Sequence, residues 1–381
     1  MLKAIINGKV FTGEELLSNY AILFEKNRVV DVILQRDLPN DCEISYDLKG
    51  NYIAPGFIDL QVNGGGGVLF NNAPTVETLQ VMAAAHRQYG TTGFLPTLIT
   101  DSFEVMRAAI AAVAKAMEIG LPGILGIHLE GPFLNAERKG AHDASKFCIL
   151  DQQGFDIITS LGAGKTLVTI APELTTVEMI RRITEAGPIV SMGHSAADYN
   201  AAKSALMAGA TGFTHLYNAM TPLQSRSPGM VGAALQDRHS WFGIIADGYH
   251  MHPAAFSVAL AAKQVGGAIL VTDAMPTVGA KNKSFVLNGE TIVAREGRCA
   301  NAAGSLAGSD LNMNSAVKNA AQYGNIDIFE AIRMASLYPA KALGLESELG
   351  CIKSGSIANF VSMDQDFCVC DTWINGDKKQ A

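Results

Sequence analysis

ILGIHLEGP (124–132), PIVSMGHS (188–195), TGFTHLYNAM (211–220) and AILVTDAMP (268–276) decide the reading of this chain. Each is a short apolar run, long enough for one buried strand and too short for a typical helix. Each carries a metal-binding type of residue at or near its end: Glu130, His194, His215 and Asp273. A strand that ends in a carboxylate or an imidazole delivers that group to the rim of a sheet. Four such ends on one rim point to metal-assisted hydrolysis.

Working outward, FIDLQV (57–62), GFLPTLI (93–99), LVTIAPE (167–173) and FGIIADG (242–248) are further runs of the same kind. With ILGIHLE (124–130), IVSMGH (189–194), GFTHLYN (212–218) and AILVTDA (268–274) they make eight candidate strands. Most gaps hold an amphipathic helix that stops at glycine, as in SFEVMRAAIAAVAKAMEIG (102–120) and TVEMIRRITEAG (176–187). Eight βα units over about 290 residues predict an α/β fold, a (β/α)8 TIM-like barrel spanning 54–347. The rival doubly wound sheet usually has fewer strands and a Gly-rich phosphate turn after the first. FVLNGETIVAREGRCA (285–300) predicts a hairpin insertion near 281–305, over the barrel mouth. Residues 1–53 and 348–381 read as short strands and turns, with Ile374-Asn375-Gly376 echoing Ile6-Asn7-Gly8. Neither end has strands enough to stand alone. Together they predict a second, small β-sandwich domain built from both chain termini.

Bulk composition narrows the function. The 381 residues are 48% hydrophobic and 17% charged, a balance that suits a large core. Net charge is −7 with no basic run, which argues against a nucleic-acid partner. There is no 18-residue apolar stretch to span a membrane, and MLKAIINGKVFTG lacks the apolar core of a signal peptide. The six cysteines are scattered, without CxxC pairs, and read as reduced thiols in a cytoplasmic protein.

In a barrel the chemistry sits at the C-terminal ends of the strands, so Glu130, His194, His215 and Asp273 share one face. Neutral imidazole and carboxylate ligands suit a zinc-like divalent ion. Three protein ligands would leave a position open for water, and a nearby carboxylate could take its proton. His142, Asn218, Ala219, Arg226, His250 and His252 follow the strands onto the same rim. Arg226 with His250 could bind a phosphate or carboxylate. His250 and His252 form a weaker candidate for a second metal pair. On the first strand Gln61 and Asn63 stand where such a hydrolase could carry two histidines; amides are poor zinc ligands, so one metal is expected. The fourth strand offers no lysine at its end. His86, inside a helix, and His239, in a polar turn, are expected at the surface.

These residues resemble the N-acetylglucosamine-6-phosphate deacetylase family of the amidohydrolase superfamily. APGFIDLQVNGGGG, LPTLIT, GIHLEGPF, APE, GHS, THLYNAM, GIIADGYH, VTDAM and GSLAGS carry the resemblance, in that order, over nearly the whole length. It implies an enzyme that hydrolyses N-acetylglucosamine 6-phosphate to glucosamine 6-phosphate and acetate, in amino-sugar catabolism. It implies Glu130, His194 and His215 as ligands of one divalent metal, Zn2+ before Fe2+, Co2+ or Mn2+. A metal-activated water would be the nucleophile, Asp273 the general base and acid, and His142 the contact to the scissile acetamide. Substrate contacts would fall on Ala141, His142, Asn218, Ala219, Arg226, His250, Leu306, Ala307 and Gly308. A homodimer is implied, with Arg226 serving the neighbouring site. Three alternatives stand beside this reading: another N-acetyl sugar phosphate, a cyclic amide substrate, or a non-catalytic binding barrel. Cyclic-amide sites commonly need the HxH pair and bridging lysine that this chain lacks.

Overall fold

The computed structural model describes residues 1–380; the last residue of the expected terminal domain, Ala381, lies outside them. Eight parallel strands form one sheet in sequential order: β1 (Phe57–Val62), β2 (Thr91–Ile99), β3 (Gly126–Glu130), β4 (Lys165–Ile170), β5 (Ile189–Met192), β6 (Gly212–Phe213), β7 (Trp241–Ile244) and β8 (Ala268–Leu270). Each strand neighbours the next in sequence, as in a barrel and unlike a doubly wound sheet. The ends meet through a bridge between Val62 and Ala274. β1 and β2 are buried along their whole length, which is why they read as continuous apolar runs.

Helices form where apolar spacing and a cap coincide. Ser102 accepts a hydrogen bond from the amide of Val105 and opens the helix Phe103–Glu118. That helix buries Met106, Ala109, Ile110, Val113 and Ala116 at three- and four-residue spacing against the sheet. Truncating the fully buried Met106 to Ala would cost roughly 2–5 kcal/mol. Among the described residues no helix is long and apolar enough to cross a membrane.

Two features depart from the sequence reading. β5, β6 and β8 end at Met192, Phe213 and Leu270, before His194, His215 and Asp273. Beyond these strand ends the three residues adopt left-handed conformations, with φ of 47°, 34° and 52°, and Asp273 still donates its amide to the Gln61 carbonyl beside the Val62–Ala274 bridge. The insertion is a three-stranded antiparallel sheet, Ser284–Leu287, Glu290–Arg295 and Arg298–Ala300, rather than one hairpin. Asn288-Gly289 makes the first turn; Glu296-Gly297, with φ of 53° and 85°, makes a second.

The termini build two further sheets. Lys3–Ile6 lies between Tyr20–Glu25 and Glu43–Asp47 in a four-stranded sheet, edged by Arg28–Leu34. In the six-stranded sheet Phe360–Met363 pairs antiparallel with Tyr52–Pro55, so both chain ends share one ladder. Ile5, Ile22 and Phe24 from the first sheet pack on Ile53, Phe360 and Trp373 from the second, a face-to-face sandwich.

Candidate active site

At the C-terminal rim of the barrel lies a cavity of about 200 Å³. Its walls include Glu130, Ala141, His142, His194, His215, Asn218, Ala219, His250, Asp273, Leu306 and Gly308. Of the expected site residues, two are elsewhere. Ala307 turns into the apolar cluster under the insertion, and Arg226 is exposed in the loop after Asn218. His194, His215, Ala219 and Asp273 all have positive φ. Such conformations cost of order 1–3 kcal/mol each for ordinary residues and cluster at functional sites.

Glu130 Oε1, His194 Nε2 and His215 Nε2 converge as a triangle with edges of 2.9, 3.0 and 3.3 Å. All three residues are buried. The His194 Nδ1–H donates to the carbonyl of Arg138 at 2.8 Å, which turns Nε2 inward as the ligating atom. Two imidazole nitrogens and a carboxylate oxygen facing one point form the donor set of a divalent cation. A tetrahedral site with bonds of about 2.0–2.1 Å has ligand-to-ligand edges of about 3.3 Å, close to this triangle. The residues present therefore fit a metal. Burial works against the Glu130 charge, yet the neighbouring His194 and His215 imidazoles more than offset it and hold its carboxyl well below the usual range.

Gln61 and Asn63 connect this triangle to Asp273. The Gln61 Nε2 group donates to Glu130 Oε2 at 3.1 Å and to Asp273 Oδ1 at 3.2 Å. Asn63 Nδ2 donates to the same Oδ1 at 2.6 Å. Both amides bind Oδ1 and neither binds Oδ2. Burial, then the Glu130 charge, push the Asp273 carboxyl up to about 6. A divalent cation beside it would pull it back down.

His142 is fixed from behind. Its Nδ1 accepts from the amide of Thr100 at 3.3 Å and lies 2.8 Å from the Thr100 hydroxyl. Burial, then the neighbouring His194, push its pKa down to about 3, so the ring is neutral and carries its proton on Nε2. That Nε2 lies 4.0 Å from Glu130 Oε2, on the cavity side. The His250 Nδ1–H donates to Asp247 Oδ2 at 2.6 Å, which orients that ring too.

The remaining histidines divide. His86 is fully buried, not at the surface: its Nε2 donates to the carbonyl of Gly64 at 2.8 Å and steadies the turn after Asn63. The helix carrying it packs on that turn, which the amphipathic pattern alone does not reveal. His239 is exposed. His252 is exposed and caps the helix Pro253–Ala262, so it makes no metal pair with His250. Sequence reasoning passed over His128, two residues before Glu130 and so on the same strand face. Its Nε2 lies 2.8 Å from Thr169 Oγ1, beneath the triangle. Glu173 was also passed over as a support. It accepts from Ser195 Oγ and the Ala196 amide, each at 2.6 Å, and from Asn135 at 2.9 Å, pinning the turn that carries His194.

The amidohydrolase family model matches residues 52–379, and the NagA composite domain model matches residues 3–53. An N-acetylgalactosamine-6-phosphate deacetylase of Shewanella sp. (strain ANA-3) is 44% identical over 87% of this chain and 84% of its own. An N-acetylglucosamine-6-phosphate deacetylase of Haemophilus influenzae is 38% identical over all of both chains. The crystal structure of N-acetylglucosamine-6-phosphate deacetylase from Pasteurella multocida superposes over all of both chains, with a TM-score of 0.96 and 36% identity.

Proposed function

This chain belongs to the amidohydrolase family, and on that premise we propose that it removes the acetyl group of N-acetylglucosamine 6-phosphate, giving glucosamine 6-phosphate and acetate in amino-sugar breakdown. It is a hydrolase. The observation that carries the reading is Asp273, held by two amides beside the triangle of Glu130, His194 and His215.

Those three residues would hold one divalent ion, zinc first and iron, cobalt or manganese as alternatives. When bound, such an ion polarises the acetyl carbonyl and acidifies water from a pKa of 15.7 to about 7. The chain's own groups do the rest. Oδ2 of Asp273 takes the proton of the attacking water and hands it to the departing amine nitrogen, which leaves poorly as an anion. The neutral His142 Nε2–H donates to the carbonyl oxygen as negative charge develops there.

The sugar phosphate lies towards Asn218, Ala219 and His250, with Leu306 and Gly308 closing the other wall and Ala307 behind them. No lysine or arginine lines the cavity among the described residues. A phosphate dianion there needs a cation from elsewhere, which supports a homodimer in which Arg226 serves the neighbouring site. The division into a barrel over 54–347 and a small β domain over 1–53 and 348–381 belongs to the same reading.

The test is release of free amine from N-acetylglucosamine 6-phosphate by the purified protein, alongside its metal content. N-acetylgalactosamine 6-phosphate is run in parallel because of the Shewanella relative. Turnover of the gluco substrate is expected. Metal without amine release from either epimer would overturn the proposal.

A further inference from the structure

The cavity has two unlike sides. Asn218, Ala219 and His250, the groups able to read hydroxyls and phosphate, follow β6 and β7. Ile99 ends β2 and Met275 follows β8, so these two apolar side chains flank β1 on the opposite side. The reacting groups border this apolar side. His142 rests on Thr100, the residue after Ile99, and Asp273 lies two residues before Met275. A carbonyl placed between His142 and Asp273, with its nitrogen and sugar towards β6 and β7, points its alkyl end at Ile99 and Met275.

We propose that Ile99 and Met275 form the acyl subsite and set the length of the acyl group removed. The proposal rests on the amide-hydrolase reading above and goes beyond it, since nothing there says what limits the acyl group. The wall is shallow: Ile99 is 6% exposed and Met275 2%. It is also backed. Leu69, Leu287, Ile292 and Ala307 pack behind both side chains in one apolar cluster under the insertion. The insertion is tied to the loop carrying His142, where Asn288 Nδ2 donates to the Ala141 carbonyl at 2.9 Å. Gly308 fixes the depth from above. A Cβ at Gly308 would come within 2.6 Å of Met275 Cγ and 2.9 Å of the Asp273 carbonyl, so only glycine lets Met275 lie where it does. A close-packed wall does not yield to an extra methylene without strain. The subsite therefore takes an acetyl methyl and rejects longer alkyl groups.

The experiment compares kcat/KM for the N-acetyl, N-propionyl and N-butyryl derivatives of glucosamine 6-phosphate, in wild type and in Met275→Ala. One methylene in an apolar pocket is worth roughly ten- to two-hundred-fold in specificity, and wild type should favour acetyl over propionyl by about that factor. Met275→Ala should raise the propionyl-to-acetyl ratio by about tenfold or more. Inhibition by glucosamine 6-phosphate, which has no acyl group, should stay unchanged, a readout that general loosening of the site would move. If Met275→Ala does not fold, Ile99→Val, which removes one methylene, should shift the ratio in the same direction. An unchanged ratio in an active enzyme, or a shift matched by weaker inhibition by glucosamine 6-phosphate, overturns the subsite alone. No turnover of the acetyl substrate by wild type overturns the deacetylase reading and the subsite with it.

Discussion

Asp273→Asn separates proton transfer from everything else this residue does. The Asn carbonyl oxygen can still accept from Asn63 Nδ2, at 2.6 Å in the wild type, and from Gln61 Nε2, at 3.2 Å. Asn tolerates the φ of 52° at this position as Asp does, whereas Ala would add about 1 kcal/mol or more of backbone strain. The triangle of Glu130, His194 and His215 is untouched, so metal content should persist. What disappears is a buried carboxylate, raised by burial and by Glu130 and lowered by a divalent cation beside it, able to take a proton and return it. Positioned acid–base catalysis is worth roughly 10²–10⁴-fold, or about 2.7–5.5 kcal/mol of barrier. The expected outcome is kcat lowered by about a hundredfold or more, with KM little changed. The assay is steady-state amine release, with metal measured by mass spectrometry on the same preparations. A kcat within tenfold of wild type, with metal retained, would refute the proton role. Loss of metal in the variant would instead make Asp273 a ligand.

Gln61→Leu removes one amide that donates to two buried carboxylates. A hydrogen bond to a charged group is worth about 1.5–3 kcal/mol, so kcat/KM should fall by roughly tenfold or more. Loss of a donor to the charged form raises the Asp273 pKa, so the acid limb of the pH–rate profile should move to higher pH; an unmoved limb counts against the bridge. Arg226→Ala should raise KM for the phosphorylated substrate, and mixing its subunits with Asp273→Asn subunits should give, at low substrate, more activity than either homodimer alone. No gain on mixing would place the phosphate contact within one chain. Asp59 is fully buried and accepts from the amides of Gln61 and Thr272; burial pushes its carboxyl from 3.8 up to about 7. The native state thus keeps a proton that the unfolded chain loses, and its stability is present below pH 3.8 and lost as pH rises through about 7. Asp59→Asn should flatten that fall, on the order of 4 kcal/mol across pH 4–7, and parallel urea-unfolding curves for the two proteins would refute it.

Much of the barrel was legible because its strands are buried on both faces and so announce themselves as apolar runs. FIDLQV coincides with β1, and Glu130 ends β3. Less legible were features set by contacts distant in sequence. His86 lies on a helix whose inner face meets the glycine turn after Asn63, and no periodicity reports that meeting. The third strand of the insertion depended on the Glu296-Gly297 turn, a weaker signal than Asn288-Gly289. Glu173 looked like part of a strand, yet β4 stops at Ile170 and the carboxylate serves the turn beside His194.

The polar groups were legible as residue types but not as geometry. Reading His194, His215 and Asp273 as strand ends put them on the correct rim by the wrong route. A side chain on a regular strand faces either the barrel interior or the helices, with no third choice. The left-handed φ at all three positions takes them off that alternation. The turns bring the two imidazoles to 3.0 Å and place Asp273 within reach of both amides. Gln61 and Asn63 do lie on a regular strand and its immediate exit, two residues apart and so on one face. A pair of histidines there would supply lone pairs for a second ion, whereas the two amides present N–H donors to Asp273 Oδ1. Their donors stabilise negative charge on the Asp273 carboxylate. Under the one-metal proposal, hydrogen bonds from Gln61 and Asn63, rather than a second ion, would hold Asp273 in place.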